Sequence, residues 1–286
     1  MDAARTYHSH SIFRQVREDL HPFYGRESES LSYMLLDEYL NIDRIACISD
    51  RIIQPENSRI TLLDVAVERL KKYEPIQYIL GKSLFYGREF HVSPGVLIPR
   101  QETEELIRKI ITMNRLRKPG ILDIGCGSGC IAVSLALEIP EAELFAFDKY
   151  PEAVQITCEN ALKLGAEVKA VHHDIFDGNW PFPEFDIIVS NPPYIAESEK
   201  ENMSQNVTDY EPRHALFVPD EDPLKFYHRI AEISASGLKS GGYLFFEINE
   251  SFGNRVYHLL ETSGFDMVRI DQDIHGRDRF VSGRKK

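Results

Sequence analysis

A chain of 286 residues is too long for one small core and suits one large domain or two of ordinary size. It is 43% hydrophobic and 27% charged, an ordinary globular composition, and no apolar run approaches the roughly 20 residues that cross a bilayer. The net charge of −12 lowers the expectation of a nucleic-acid substrate without removing it, and would suit a basic protein partner.

The N-terminal stretch "MDAARTYHSHSIFRQVREDL" lacks an apolar h-region, so no secretory signal is expected. Asp2, Glu18 and Asp19 speak against a transit peptide, and a cytoplasmic protein is expected. The stretches "SIFRQVREDL", "ESLSYMLLDEYL" and "ITLLDVAVERLKKY" carry apolar residues at spacings of three and four and predict helices. Breaks are expected at "HPFYG", "NIDR" and "QPENSR". Residues 1–80 therefore read as a small helical bundle whose leucines and tyrosines are core rather than chemistry. The segment "GKSLFYGREFHVSPGVLIPR" alternates aromatic and polar residues and predicts a β-hairpin, with strands near 83–86 and 89–92. Residues 81–99 read as a linker to a second domain over 100–286.

From residue 100 strand and helix patterns alternate. "QETEELIRKIITMNRL" predicts a helix with acidic residues in its first turn, "GILDIG" a buried strand, "CIAVSLALEI" a helix and "AELFAFD" a strand. "PEAVQITCENALKLG" predicts a helix opened by Pro151 and closed by Gly165. "VKAVHHD" and "FDIIVS" predict strands, "DPLKFYHRIAEISASGLKSGG" a helix ending in glycines, "YLFFEI" a strand, and "SFGNRVYHLLETSGF" a helix. "MVRIDQD" and "RFVSGR" close the chain as an antiparallel pair. The alternation predicts an α/β fold, Rossmann-like, with a mostly parallel sheet and an antiparallel terminal strand.

Cys47, Cys126, Cys130 and Cys158 form no C-x-x-C pair, which suits a reducing compartment and predicts no metal site. His172 and His173 are neighbours on a predicted strand and point to opposite faces, a poor chelate. "ILDIGCGSGC" places Gly125, Gly127 and Gly129 between a strand and a helix. Glycine permits a sharp turn and a close approach of ligand to backbone. Asp148 ends the next strand, where a carboxylate can take ribose hydroxyls. The spacing is G-x-G-x-G rather than the G-x-G-x-x-G of dinucleotide oxidoreductases. With Asp123 before the turn, the stretch resembles motif I of the class I S-adenosylmethionine-dependent methyltransferases. The resemblance implies that Asp123, Gly125, Cys126, Gly127, Ser128, Gly129, Asp148, Asp174, Ile175 and Asn191 border S-adenosyl-L-methionine. Asp174 in "HHDIF" would accept the adenine amino group, and Ile175 or Phe176 would flank the adenine face.

"VSNPPYI" ends the fourth strand of the series. Neither Pro192 nor Pro193 can donate to a sheet, so the strand stops and a rigid turn begins. In a doubly wound sheet this turn and the glycine loop converge on one crevice. An amide nitrogen is a poor nucleophile because its lone pair is delocalised. The Asn191 side-chain oxygen and the Pro192 carbonyl can each accept an N–H and hold such a nitrogen in place. Asn191 and Pro192 are thus the candidate catalytic residues, and Asn191, Pro192, Pro193 and Tyr194 the candidate substrate-binding ones. Tyr194 could pack on a planar group. N-P-P-Y resembles amino-nitrogen methyltransferases generally, including DNA adenine, rRNA guanine and protein glutamine enzymes, so alone it fixes the atom class and not the substrate.

The order of a helical N-terminus, a hairpin, "LIPRQETEELI", "LDIGCGSGCIAVSLAL", "VSNPPYI" and "YEPRHALF" resembles the HemK/PrmC family over essentially the full length. These are the peptide-chain release factor glutamine N5-methyltransferases. The resemblance implies methylation of the glutamine in the Gly-Gly-Gln motif of class 1 peptide chain release factors, with no direct nucleic-acid or membrane partner. It also implies that the helical bundle binds the release factor. Gln101 stands where family members often carry proline. Arg100, Glu102 and Glu211 border the cleft in the family and serve equally well as structural ion pairs. An enzyme methylating a nucleic-acid base is the rival expectation. It calls for a basic face or a base-recognition domain, and neither is visible. A cofactor-binding partner protein without transfer activity is a further rival.

Overall fold

The computed structural model describes residues 6–178 and 180–286. The chain forms two compact units. One runs to Gly81 and also takes in Gln205–Tyr210; the other comprises Lys82–Ser204 and Glu211–Lys286.

The first unit is mostly helical: β1 (Tyr7–His8), α1 (Ser9–Tyr24), α2 (Ser28–Leu40), α3 (Arg44–Ile48), β2 (Ile52–Ile53), α4 (Asn57–Leu70) and α5 (Ile76–Leu80). The expected break at "HPFYG" falls later than its first residues. α1 runs through Pro22 and ends at Gly25, whose φ is 53°. Pro22 lies in the last turn, where its missing N–H forfeits only one helical bond. Ile12, Phe13, Val16 and Leu20 of α1 form one stripe, packed with Leu35 and Leu36 of α2 and Leu63, Val67 and Leu70 of α4. α3 escaped the sequence reading because it is five residues long. Asp43 caps it by accepting the Ala46 N–H at 2.7 Å. The return segment Gln205–Tyr210 is tied in by the Tyr210 hydroxyl, which donates to the Lys72 carbonyl at 2.8 Å.

The second unit opens with the hairpin β3 (Lys82–Phe85) and β4 (Arg88–His91). Expected as a linker, the hairpin is packed into this unit, with Phe85 and Phe90 in a cluster with Ile107, Ile121 and Val133. There follow α6 (Gln101–Met113), β5 (Gly120–Ile124), α7 (Cys130–Glu138), β6 (Glu143–Asp148), α8 (Pro151–Leu164), β7 (Val168–His172) and β8 (Phe185–Ser190). An excursion follows, in which β9 (Ile195–Ala196) leads to α9 (Gln205–Tyr210), which belongs to the first unit, and then to α10 (Arg213–Leu216) and β10 (Phe217–Val218), with β9 and β10 paired in parallel. The chain closes with α11 (Lys225–Gly237), β11 (Leu238–Glu247), α12 (Gly253–Thr262), β12 (Phe265–Gln272) and β13 (Asp278–Lys285). "LKSGG", expected as the end of a helix, begins β11. Leu238 pairs with Phe185, and the strand bulges at Gly241 (φ 80°) before Tyr243 meets Ile187.

The seven-stranded sheet runs β12-β13-β11-β8-β5-β6-β7. β11, β8, β5, β6 and β7 are parallel, and β13 is inserted antiparallel between β11 and β12. Alternate side chains feed two cores. Leu122, Ile188, Leu244 and Phe246 meet Tyr227 of α11 and Leu260 of α12. Ile121, Ile187, Val189 and Phe245 meet Leu106 and Ile110 of α6 and Val133 of α7. This is the α/β, Rossmann-like arrangement expected. The chain winds outward from β5 to β7 and returns to β8 on the other side of β5, so the switch point lies between the carboxyl ends of β5 and β8. Among the described residues no helix is long and apolar enough to cross a membrane.

Candidate active site

A cavity of about 360 Å³ opens at that switch point. Ile124, the last residue of β5, pairs with Ser190, the last of β8, so the glycine loop and the N-P-P-Y turn leave neighbouring strands side by side. The Ser190 hydroxyl ties them further, donating to the Ile124 carbonyl at 2.7 Å. In the loop, the Gly125 and Cys126 N–H groups donate to the Phe147 carbonyl at 2.9 and 3.1 Å. Gly127 has φ 54° and only open space where a Cβ would stand, so the loop leaves room beside it for a ligand to approach closely. Gly129 answers a different need: a Cβ there would sit 2.9 Å from Thr157 Cγ2 and 3.1 Å from Thr157 Cα. Asn160, buried on α8, clamps the loop from behind. It donates to the Ser128 and His91 carbonyls at 2.8 and 2.9 Å and accepts the His91 N–H at 2.6 Å.

Asp148 ends β6 on the cavity wall and accepts N–H groups from Gly127 and Tyr150, each at 3.0 Å. Burial pushes its carboxyl up, against the pull of those two donors. Asp174 also lies on the wall. Burial raises its carboxyl, but the Lys149 ammonium at 2.8 Å and the Phe176 N–H at 3.0 Å outweigh burial and hold it below the usual range. Ile175 and Phe176 both border the cavity; Ile175 is buried and Phe176 is 41% exposed, edge-on to Phe226. Tyr150 stacks on His214 across 3.6 Å, forming another part of the wall that sequence patterns did not reveal.

Asn191, Pro192 and Pro193 line the cavity beside the loop. The Asn191 Nδ2 stands 3.4 Å from Thr103 Oγ1. The Thr103 hydroxyl donates to Glu247 Oε2 at 2.7 Å, and the Tyr194 hydroxyl to Glu247 Oε1 at 3.4 Å. Burial pushes the Glu247 carboxyl up to about 7, against the opposing pull of Thr103 and Arg279. Thr103 and Glu247 were not singled out in the sequence. The one signal was a lone carboxylate inside the apolar run "YLFFEI".

Not every expected residue reaches the wall. The cavity is bordered by Gly125, Cys126, Gly127 and Ser128, whereas Asp123, Gly129 and Tyr194 stand behind it. Asp123 is fully buried and accepts the Ala132 N–H in the first turn of α7 at 3.2 Å, so it braces the loop. Its Oδ1 has no partner, and burial pushes its carboxyl up to about 7. Tyr194 turns to Glu247 and packs against the core. Arg100 lines the cavity and pairs at 2.6 Å with Glu211, which is buried and also accepts the Ile98 N–H at 3.3 Å. Among the described residues no group of three or more potential metal ligands occurs.

Open space at Gly127 beside a buried carboxylate suits a nucleoside carrying an amino-acid chain, and the apolar surface of Ile175 and Phe176 suits its base. The site and the sheet order together define a class I S-adenosyl-L-methionine-dependent methyltransferase. Two solved structures share the fold: a methyltransferase from Pyrococcus furiosus and the 16S rRNA N2 G1207 methyltransferase of T. thermophilus. The first has TM-score 0.50 and 16% identity, covering 80% of this chain and 99% of that one. The second has TM-score 0.52 and 19% identity, covering 72% of this chain and 50% of that one. Residues 102–213 match the family model described as methyltransferase small domain, and residues 12–81 match that described as PrmC N-terminal domain. Proteins named release factor glutamine methyltransferase are similar over much more of the chain. That of Bacteroides thetaiotaomicron is 42% identical, covering 96% of this chain and 98% of its own. That of Flavobacterium psychrophilum is 39% identical over 91% and 92%. The chain belongs to the release factor glutamine methyltransferase family.

Proposed function

We propose that this protein methylates the side-chain amide nitrogen of the glutamine in the Gly-Gly-Gln motif of class 1 peptide chain release factors. The observation that carries the reading is the pairing of Ile124 with Ser190, which sets the glycine loop and the N-P-P-Y turn on one cavity in a member of this family. S-adenosyl-L-methionine, when bound, supplies an electrophilic methyl group. Gly125, Cys126, Gly127 and Ser128 border its amino-acid and ribose portions. Asp148 takes the ribose hydroxyls, and Asp174 with Ile175 and Phe176 receives the adenine. Asp123 and Gly129 act one layer back, holding the loop in shape.

Asn191 Oδ1 and the Pro192 carbonyl accept the two N–H groups of the substrate amide. Bonding both weakens the planar, delocalised form of that amide and turns its lone pair toward the methyl donor. The two prolines keep the acceptors in place, so the contribution is chiefly orientation and electrostatics. Pro193 borders the glutamine, and Tyr194 supports the turn from below rather than packing on the substrate. The helical unit serves as the surface for the release factor body. The working site is the cytoplasm, where release factors act.

Methyl transfer from labelled S-adenosyl-L-methionine tests the reading. A class 1 release factor, its Gly-Gly-Gln variant with glutamine changed to alanine, duplex DNA and rRNA are offered side by side. Label on the release factor and none on its variant is expected. Label on nucleic acid alone would overturn the assignment.

A further inference from the structure

Glu247 ends β11 just after the apolar run "YLFF", is 1% exposed, and does not border the cavity. The chemistry above gives it no task. A buried carboxylate needs donors, and this one has two hydroxyls, Thr103 at 2.7 Å and Tyr194 at 3.4 Å. Both lead to the N-P-P-Y turn. An ionised carboxylate can only accept, so the Thr103 proton is committed to Glu247. Thr103 Oγ1 then has only lone pairs to offer Asn191, whose Nδ2 stands 3.4 Å away. The Asn191 amide must turn its NH₂ to Thr103, and Oδ1 is the end left to accept an N–H from the substrate.

We propose that Glu247, acting through Thr103, is the positioning residue that fixes which end of the Asn191 amide meets the substrate, while its bond from Tyr194 steadies the far end of the same turn. The inference rests on the functional reading above. The groups facing Glu247 among the described residues are Glu102 and Thr103 from α6, Cys130 from α7, Tyr194 from the turn, Tyr227 from α11 and Arg279 from β13; the Tyr227 hydroxyl donates to the Glu247 backbone carbonyl at 3.0 Å. Arg279 favours the carboxylate, while burial and Glu102 favour the acid. A protonated Glu247 can itself donate to Thr103. The threonine hydroxyl is then released toward Asn191, the amide can turn over, and its NH₂ meets the N–H of the substrate, donor against donor. Transfer therefore falls on the acid side as Glu247 takes up a proton.

The test compares the wild type with Thr103→Val, Thr103→Ser, Glu247→Gln and the Thr103→Val/Glu247→Gln double variant, using labelled S-adenosyl-L-methionine and a class 1 release factor, with cofactor affinity measured by calorimetry. Thr103→Val should lower kcat by about 10-fold to 100-fold, the scale of a misaimed group, with cofactor Kd within about twofold. Thr103→Ser, which keeps the hydroxyl, should recover kcat to within about threefold. Glu247→Gln should lower kcat and abolish the acid limb of the kcat profile. The double variant should lose little more than the worse single one. Full kcat in Thr103→Val or Glu247→Gln, or an acid limb that survives in Glu247→Gln, would overturn the proposal. So would a loss in every variant that tracks cofactor affinity. Should Thr103→Val fail to fold, the profiles of the wild type and Glu247→Gln decide alone. A wild type that labels no release factor overturns the functional reading instead, and this inference with it.

Discussion

On the proposed mechanism Asn191 works by direction and not by acid–base chemistry. Its amide has one accepting end and one donating end, so a half-turn of the side chain reverses its chemistry. Under the proposed reading, replacing Asn191 with alanine removes one of two acceptors for the substrate amide. The expected result is a fall in kcat of about 100-fold with cofactor Kd unchanged. Single-turnover kinetics and calorimetry check the two halves separately. The place of Asn191 on the cavity was legible in the sequence because two prolines follow it at the end of an apolar run, which stops the strand at its carboxyl end. Thr103 and Glu247 were not legible, because they stand 144 residues apart and only the tertiary fold joins them. Tyr194, expected to pack on a planar substrate group, turns its hydroxyl to Glu247 beneath the turn, a direction the sequence did not show. Spacing along a chain says which residues are near a turn, and not which way each one points.

At the scale of elements, the site depends on the fixed shape of a loop that makes few regular hydrogen bonds. α8 supplies that shape. Thr157 leaves no room for a side chain at Gly129, and Asn160 bridges the Ser128 carbonyl to both backbone groups of His91. The hairpin β3–β4 is therefore part of the scaffold that holds the cofactor loop. Changing Asn160 to alanine leaves buried backbone groups without these bonds. It should cost about 2–4 kcal/mol of stability, read by urea unfolding, and weaken cofactor binding in calorimetry more than it changes kcat at saturating cofactor. Unchanged cofactor affinity would show that the loop holds itself. The alternation of strands and helices was legible from period and turn residues. The start of β11 was not, since "LKSGG" carries helix-stop residues and is pulled into the sheet by its pairing with β8. The short elements between residues 195 and 218 carry no period at all and depend on tertiary contacts.

Among the described residues, burial raises two carboxyls, Asp123 and Glu247, to about 7. The sign of their effect follows from linkage. Below the ordinary carboxylate range both folded and unfolded chains carry the proton, and the raised groups contribute their full stabilisation. Between that range and about pH 7 the folded chain holds protons that the unfolded chain has lost, so stability falls as pH rises. For Glu247, a rise from 4.5 to about 7 corresponds to a loss of at most about 3 kcal/mol by neutral pH. Urea unfolding of Glu247→Gln should accordingly lose less stability than the wild type between about pH 5 and 8. Parallel curves would mean that Glu247 is not the group responsible. A carboxylate whose ionisation costs stability yet orders Asn191 is one of the ways a fold spends stability on a site. The boundary of the two units at Gly81 stands where the sequence changes from glycine-poor helices to a glycine-punctuated α/β pattern. The assignment of Gln205–Tyr210 to the helical unit was beyond sequence reasoning, since a six-residue helix announces neither its partner nor its place.

The measurement that tests the central claim most directly is to map the methyl group on a class 1 release factor after reaction with the wild type and with Asn191→Ala, by fragmenting the Gly-Gly-Gln peptide in a mass spectrometer. The account predicts one methyl group on the glutamine side-chain amide with the wild type, and its near absence with the variant at equal cofactor occupancy. A methyl group on any other atom, or undiminished methylation by Asn191→Ala, would contradict it.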